Sequence, residues 1–224
     1  MSTLVLFDID GTLIRRAGAH HREALVKAIR RVTGLETTTA NINTSGMLDG
    51  DILREMMRQA GASPGFISRS MPAVIEAAQS IYVRSGPDLQ RNVCPGVRRV
   101  LAQLQRNRIP VGLVTGNLTR IAWKKMRRAG IDRFFRFGAF AEMADTRAGL
   151  VAIAIREARS SGWIYENCRI SLVGDHPNDV EAAKLNGIRS IAVATGLCAK
   201  DELSSCRPDL LLPDLRAFRL DMLS

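Results

Sequence analysis

The chain predicts an α/β fold, a parallel sheet covered by helices with an all-helical segment inserted after the first strand. Three observations carry that prediction. Apolar runs of strand length alternate with helix-period segments through the second half of the chain. Several of those runs end directly in polar turns that carry Asp, Thr or Gly. Between the first run and the rest, residues 15–91 show helical patterns alone. At 224 residues there is room for one domain, or for a core domain with a smaller inserted one. The expected division is a core of residues 1–14 and 92–224 and a helical cap of residues 15–91.

Taken in order, Leu4-Val5-Leu6-Phe7 is a short apolar run, and Asp8-Ile9-Asp10-Gly11-Thr12 follows at once. The turn residues mark it as a buried strand. Alternation along an extended chain directs Asp8 and Asp10 the same way, with Ile9 opposite. Residues 20–33 carry Ala24, Leu25, Ala28, Ile29 and Val32 at helical spacing, and Gly34 stops them. A Thr-, Asn- and Ser-rich loop follows over 36–46. Gly46-Met47-Leu48-Asp49 then leads into a helix through Ile52, Leu53, Met56 and Met57, and a third helix is expected from about Met71 to Arg84. Helices placed here either close over Asp8 and Asp10 as a lid or simply pack on the sheet.

Pro95 suits the first turn of the next helix, which carries Val97, Val100, Leu101 and Leu104 on one face. Residues 109–114 read as a buried strand ending in Thr115-Gly116-Asn117, with a helix over 118–129 after it. A short strand is expected at Gly138-Ala139-Phe140 and a helix over 148–161. The run 169–173 is another strand; it ends in Gly174-Asp175 and precedes a helix carrying Asp179 and Val180. Residues 190–194 and 209–212 complete the strands.

Asp8, Asp10, Thr115, Asp175 and Asp179 thus all follow apolar strand runs, and a parallel sheet gathers such ends on one edge. Converging carboxylates repel unless a cation or proton lies between them, and oxygen ligands call for a hard cation such as Mg²⁺. A Thr hydroxyl beside backbone N–H groups at a helix start suits a phosphate oxygen, although Thr115 could equally cap the helix. Asp and Gly also end strands in plain turns; the matching parts along the chain argue for more. The set has the composition of a Mg²⁺-dependent phosphoryl-transfer site with a carboxylate nucleophile.

Composition narrows the classes. Hydrophobic residues make up 46% and aromatics 5%, so the core is mainly aliphatic. No apolar run approaches the ~20 residues of a membrane span, and the N-terminal residues lack the pattern of a signal peptide. Cys94, Cys168, Cys198 and Cys206 show no Cys-x-x-Cys spacing and read as reduced thiols of a cytoplasmic protein. Net charge is +10, which attracts phosphate-bearing molecules. No aromatic interleaving, helix-turn-helix or zinc pattern accompanies it, so specific nucleic-acid binding is not expected.

These motifs are similar to those of the haloacid dehalogenase (HAD) superfamily. Asp-x-Asp-Gly-Thr matches Asp8 to Thr12, a strand-end Thr matches Thr115, and Gly-Asp-x-x-x-Asp matches Gly174, Asp175 and Asp179. The resemblance covers essentially the whole chain. It implies a Rossmann-like parallel-sheet core with an inserted helical cap, and a Mg²⁺-dependent phosphatase of a small phosphate ester, phosphoglycolate-phosphatase-like, as monomer or homodimer. It implies Asp8 as nucleophile and metal ligand and Asp10 as general acid/base, with its carbonyl on the metal. Thr115, Gly11, Thr12, Gly116 and Asn117 would hold the phosphate, and Asp175 and Asp179 the metal. An acid at Asp10 argues against the dehalogenase branch. The family's Lys-Pro is absent from Ala144-Asp145-Thr146-Arg147-Ala148; Lys125 is the candidate for the family's lysine, with Lys124 and Arg147 as fallbacks. Gly46-Met47-Leu48-Asp49 resembles a cap loop that often reads Gly-x-Thr-Asp, and Leu48 in place of Thr speaks against phosphoglycolate itself. Arg15 and Arg16 could meet an anionic substrate, and His20 and His21 read as helix-start residues. A phosphomutase of the β-phosphoglucomutase type and a non-catalytic binding protein of the same fold are the alternatives.

Overall fold

β1 (Thr3–Phe7) lies at the middle of a six-stranded sheet, and its neighbours explain its composition. Leu4 and Leu6 join one apolar cluster, and Val5 and Phe7 join another on the opposite face. A strand covered on both faces has no use for polar alternation. The structure, a computed structural model, describes residues 2–15 and 19–223. The remaining strands are β2 (Val111–Val114), β3 (Phe137–Ala139), β4 (Arg169–Gly174), β5 (Arg189–Val193) and β6 (Leu210–Leu212). All pair in parallel in the order β3-β2-β1-β4-β5-β6. Strand order reverses at β1, between β2 and β4, and such a switch point opens a crevice at the carboxyl edge.

The helices are α1 (His20–Thr33), α2 (Asp49–Gln59), α3 (Pro64–Ser85), α4 (Val97–Arg106), α5 (Thr119–Ala129), α6 (Arg147–Ser160), α7 (Pro177–Leu185) and α8 (Lys200–Ser205). Between β1 and β2 the first three pack on one another, and α3 also packs on α5. Two hydrogen bonds tie the loop before α2 to the carboxyl edge of the sheet. Asp49 N donates to Gly116 O at 2.7 Å, and Asn178 Nδ2 donates to Gly46 O at 2.9 Å.

Two expectations change, and one short helix was not anticipated. α3 begins at Pro64, not near Met71: Ser63 Oγ accepts from Phe66 N at 3.4 Å, Pro64 fills the first turn, and the helix runs on through Pro72. Pro95 precedes α4 rather than opening it, because Gly96 is the N-cap at φ 84° and a Cβ there would strike the backbone of Leu215 and Arg216. The short α8 has too few turns for a periodic signal.

Candidate active site

Phe7 ends β1, so Asp8 is the first residue past the strand and Asp10 already lies in the turn that follows. The two carboxylates consequently do not share one extended face. Asp8 is buried and faces the β4 side, where Arg147 Nη1 donates to its Oδ1 at 2.8 Å. Asp10 is half-buried and faces α5, where Lys125 Nζ lies 2.8 and 2.6 Å from its two oxygens.

Asp8, Asp175 and Asp179 form one buried group, with a carboxylate oxygen of each within 4.8 Å of the others. Neighbouring residues hold them in place. Thr12 Oγ1 donates to Asp175 Oδ1 at 2.7 Å. Gly11, at φ +91°, and Gly196 leave the space that Asp175 fills; a Cβ on either would overlap its carboxylate. His176 N donates to Asp179 Oδ2 at 3.2 Å, closing a capping box at the start of α7. Asp179 Oδ1 is left without a hydrogen bond, 3.4 Å from Arg147 Nε, which also makes none.

Electrostatics follow from this crowding. Burial pushes the Asp8 carboxyl up to about 6; Arg147 pulls against it, while Asp179 and Asp10 add to the rise. Burial, Asp8 and Asp179 raise Asp175, and burial raises Asp179 against the pull of Arg147. For Asp10 burial acts upward, yet Lys125 and His21 outweigh it and hold the carboxyl below its ordinary value. Burial works against the Arg147 charge, but Asp179 and Asp8 more than offset it. Three carboxylates against one guanidinium leave an excess of negative charge in a dry site. An all-oxygen donor set with one orphaned oxygen fits a hard divalent cation such as Mg²⁺.

The turn after β2 supplies the other half. Thr115 is buried, and its hydroxyl accepts from Asn117 Nδ2 at 2.7 Å. It does not cap α5, whose N-cap is Leu118. Asn117 Nδ2 also donates to Asp10 Oδ2 at 2.7 Å, and its Oδ1 accepts from Lys125 Nζ at 2.6 Å. Gly116 lies under Met47, leaving 2.5 Å between a built Cβ and Met47 O. Only glycine fits beneath that loop.

The structure therefore gathers Asp8, Asp10, Gly11, Thr12, Thr115, Gly116, Asn117, Lys125, Arg147, Asp175 and Asp179 around one crevice. Thr12 is engaged with Asp175 rather than facing the crevice as a phosphate donor. Lys125 serves Asp10, while Arg147 takes the position beside Asp8 and Asp179. Lys124 runs along Gly86 at the end of α3 instead. Arg15 is exposed, and Arg16 lies outside the described residues.

His21 lies at the start of α1 as expected, but the sequence did not place it or Asp49 beside Lys125. His21 Nε2 pairs with Asp49 Oδ2 at 3.0 Å, and its Nδ1 lies 3.2 Å from Lys125 Nζ. Asp49 Oδ2 also accepts from Leu118 N at 2.9 Å, and the buried Tyr82 ring stands edge-on to His21 at 5.7 Å. The available signal was polar residues on apolar helix faces, which Lys125 shows beside Ile121, Ala122, Met126 and Ala129.

A switch-point crevice holding clustered carboxylates, a strand-end threonine and two buried cations is where an α/β enzyme places its ligand. The family model for haloacid dehalogenase-like hydrolases matches residues 5–193, and the chain belongs to that family. It is 25% identical over 223 residues to phosphoglycolate phosphatase of Pseudomonas syringae pv. syringae, covering 95% of this chain and 77% of that one. With phosphoglycolate phosphatase of Synechococcus elongatus it shares 29% over 160 residues, 71% of this chain and 70% of that one. Among solved structures, a CbbY mutant of Rhodobacter sphaeroides in complex with xylulose-(1,5)bisphosphate superposes with TM-score 0.73 at 20% identity, over the full length of both chains. β-Phosphoglucomutase of Clostridium difficile gives 0.71 at 17%, covering 100% of this chain and 96% of that one. At such identities these two show a shared fold.

Proposed function

We propose that the chain is a Mg²⁺-dependent phosphomonoesterase that hydrolyses a small phosphate ester through an aspartyl-phosphate on Asp8. One observation carries the reading. A buried carboxylate at the centre of the carboxyl edge stands within 4.8 Å of two others and beside a guanidinium, which is where a phosphoryl group could be approached by an anionic nucleophile. Mg²⁺ held by Asp8, Asp175 and Asp179 and the Asp10 carbonyl would offset the repulsion between nucleophile and phosphate.

An Asp8 oxygen attacks phosphorus, and the bond to the ester oxygen breaks. Asp10, which Lys125 and His21 hold ionised in the free site, takes up a proton as the substrate binds and passes it to the departing alkoxide, which leaves as an alcohol. Asp10, now ionised and held so by Lys125, takes a proton from water. The resulting hydroxide attacks the aspartyl-phosphate, releasing phosphate and restoring Asp8. Arg147, Thr115 and the backbone N–H groups of residues 116 and 117 bind the equatorial phosphate oxygens. Residues 15–91 form the cap over this crevice. The relatives named phosphoglycolate phosphatase make phosphoglycolate the first ester to assay.

The test is phosphate release from p-nitrophenyl phosphate and a panel of small esters, with Mg²⁺ or EDTA. Turnover should require Mg²⁺ and fall at least about 10³-fold in Asp8→Asn. A folded protein that binds Mg²⁺ yet releases phosphate from no ester would overturn the reading. Dependence on a sugar bisphosphate without net release would identify a mutase.

A further inference from the structure

At the opposite edge of the sheet from the acidic crevice lies a second concavity. It is a cleft of about 1100 Å³ bounded by the end of α6, the starts of β4 and β5, and the chain near Leu223. Arg156 and Arg159 lie three residues apart on α6, so they share a helix face. Arg169 and Arg189 open the adjacent strands β4 and β5. All four line the cleft, and no carboxylate does among the described residues.

None of the four joins an ion pair among the described residues. Arg189 alone is tethered, donating to the carbonyl of Met222 and lying in the field of Asp209. Arg156, Arg159 and Arg169 are exposed and Arg189 is half-buried, so the guanidinium groups are open to a ligand from solvent. Four guanidinium groups around one hollow raise the local potential and draw in anions. Guanidinium is the side chain that grips phosphate with two parallel N–H bonds. The floor between the arginines is apolar, with Ile155 and Ile188. The volume suits a small ligand, with aliphatic side chains to meet its less polar part.

We propose that this cleft binds a small organic polyphosphate of the nucleoside triphosphate class, its phosphates on the arginines and its less polar part on the isoleucine floor. The site is separate from the hydrolytic one. β4 runs from Arg169 at this edge to Gly174 beside Asp175 at the other, on the order of 15–20 Å away at strand rise.

Isothermal titration calorimetry with ATP and with inorganic tripolyphosphate, in EDTA at physiological ionic strength, tests it. Three proteins are compared: wild type, Arg156→Glu/Arg159→Glu, and the control Arg31→Glu/Arg106→Glu, which makes the same change in net charge on α1 and α4. Wild type and control should bind one ATP per chain within twofold of each other. The cleft variant should bind at least about tenfold more weakly. All three should hydrolyse p-nitrophenyl phosphate with Mg²⁺ at one rate. Tighter binding of ATP than of tripolyphosphate would assign the floor its share. No binding to wild type, or equal weakening in both variants, would overturn the proposal. So would a single-stranded oligonucleotide that outcompetes ATP at the cleft.

Discussion

A lysine that is 1% exposed must find partners for three N–H donors, and Lys125 finds them in Asp10, Asn117 and His21. Removing it strands a carboxylate and an amide. Lys125→Met should lower kcat about 10²-fold through Asp10 and cost about 2–3 kcal/mol in urea unfolding; the Asp10 side stays partly solvated, which limits the loss. Cys94 makes the opposite case, a reactive atom rendered inert. Burial pushes its thiol up to about 12, and its Sγ points at Gly11 O. Thiolate is therefore scarce at pH 8. Alkylation mapped by mass spectrometry at that pH should leave Cys94 unlabelled until the protein is unfolded.

At the scale of elements, the loop before α2 and the turn after β2 meet with no space to spare. Gly116→Ala would push Met47 and Leu48 off the crevice. Steady-state kinetics should then show KM raised and kcat lowered together, with the fold intact. α3 offers a gain instead. Pro72 is exposed and removes the N–H that would bond to Ser68 O, so Pro72→Ala should stabilise by about 1–3 kcal/mol in denaturant unfolding. These two elements also mark how far the sequence could be read. β1 and its turn were legible because the strand, its end and the acids are contiguous. β4 with Asp175 and Asp179 was legible for the same reason. The start of α3 was hidden by a proline that the surrounding helix tolerates. His21 and Asp49 were illegible because only the packing of α1 to α3 and α5 brings them to Lys125. The choice between Lys125 and Arg147 could not be made from spacing, since each reaches a different carboxylate.

For the whole molecule, the crowding of Asp8, Asp175 and Asp179 opposes folding, and a divalent cation held there would relieve it. Saturating Mg²⁺ should raise the thermal midpoint by roughly 5 °C, and Asp175→Ala should remove most of that shift in differential scanning fluorimetry. Among the described residues no helix is long and apolar enough to cross a membrane.

The central place of β1 has a bearing on how the chain is made. Its two partners, β2 and β4, begin over a hundred residues later, and the Thr12–Asp175 bond spans 163 positions. A ribosome-bound chain that has released only the residues before β2 carries an apolar strand with no ladder on either side. Such a fragment is exposed to chaperones and to self-association until β4 emerges. The acidic crevice therefore comes into being only once β4 has been made, although Asp8 precedes Asp175 by more than a hundred and sixty residues.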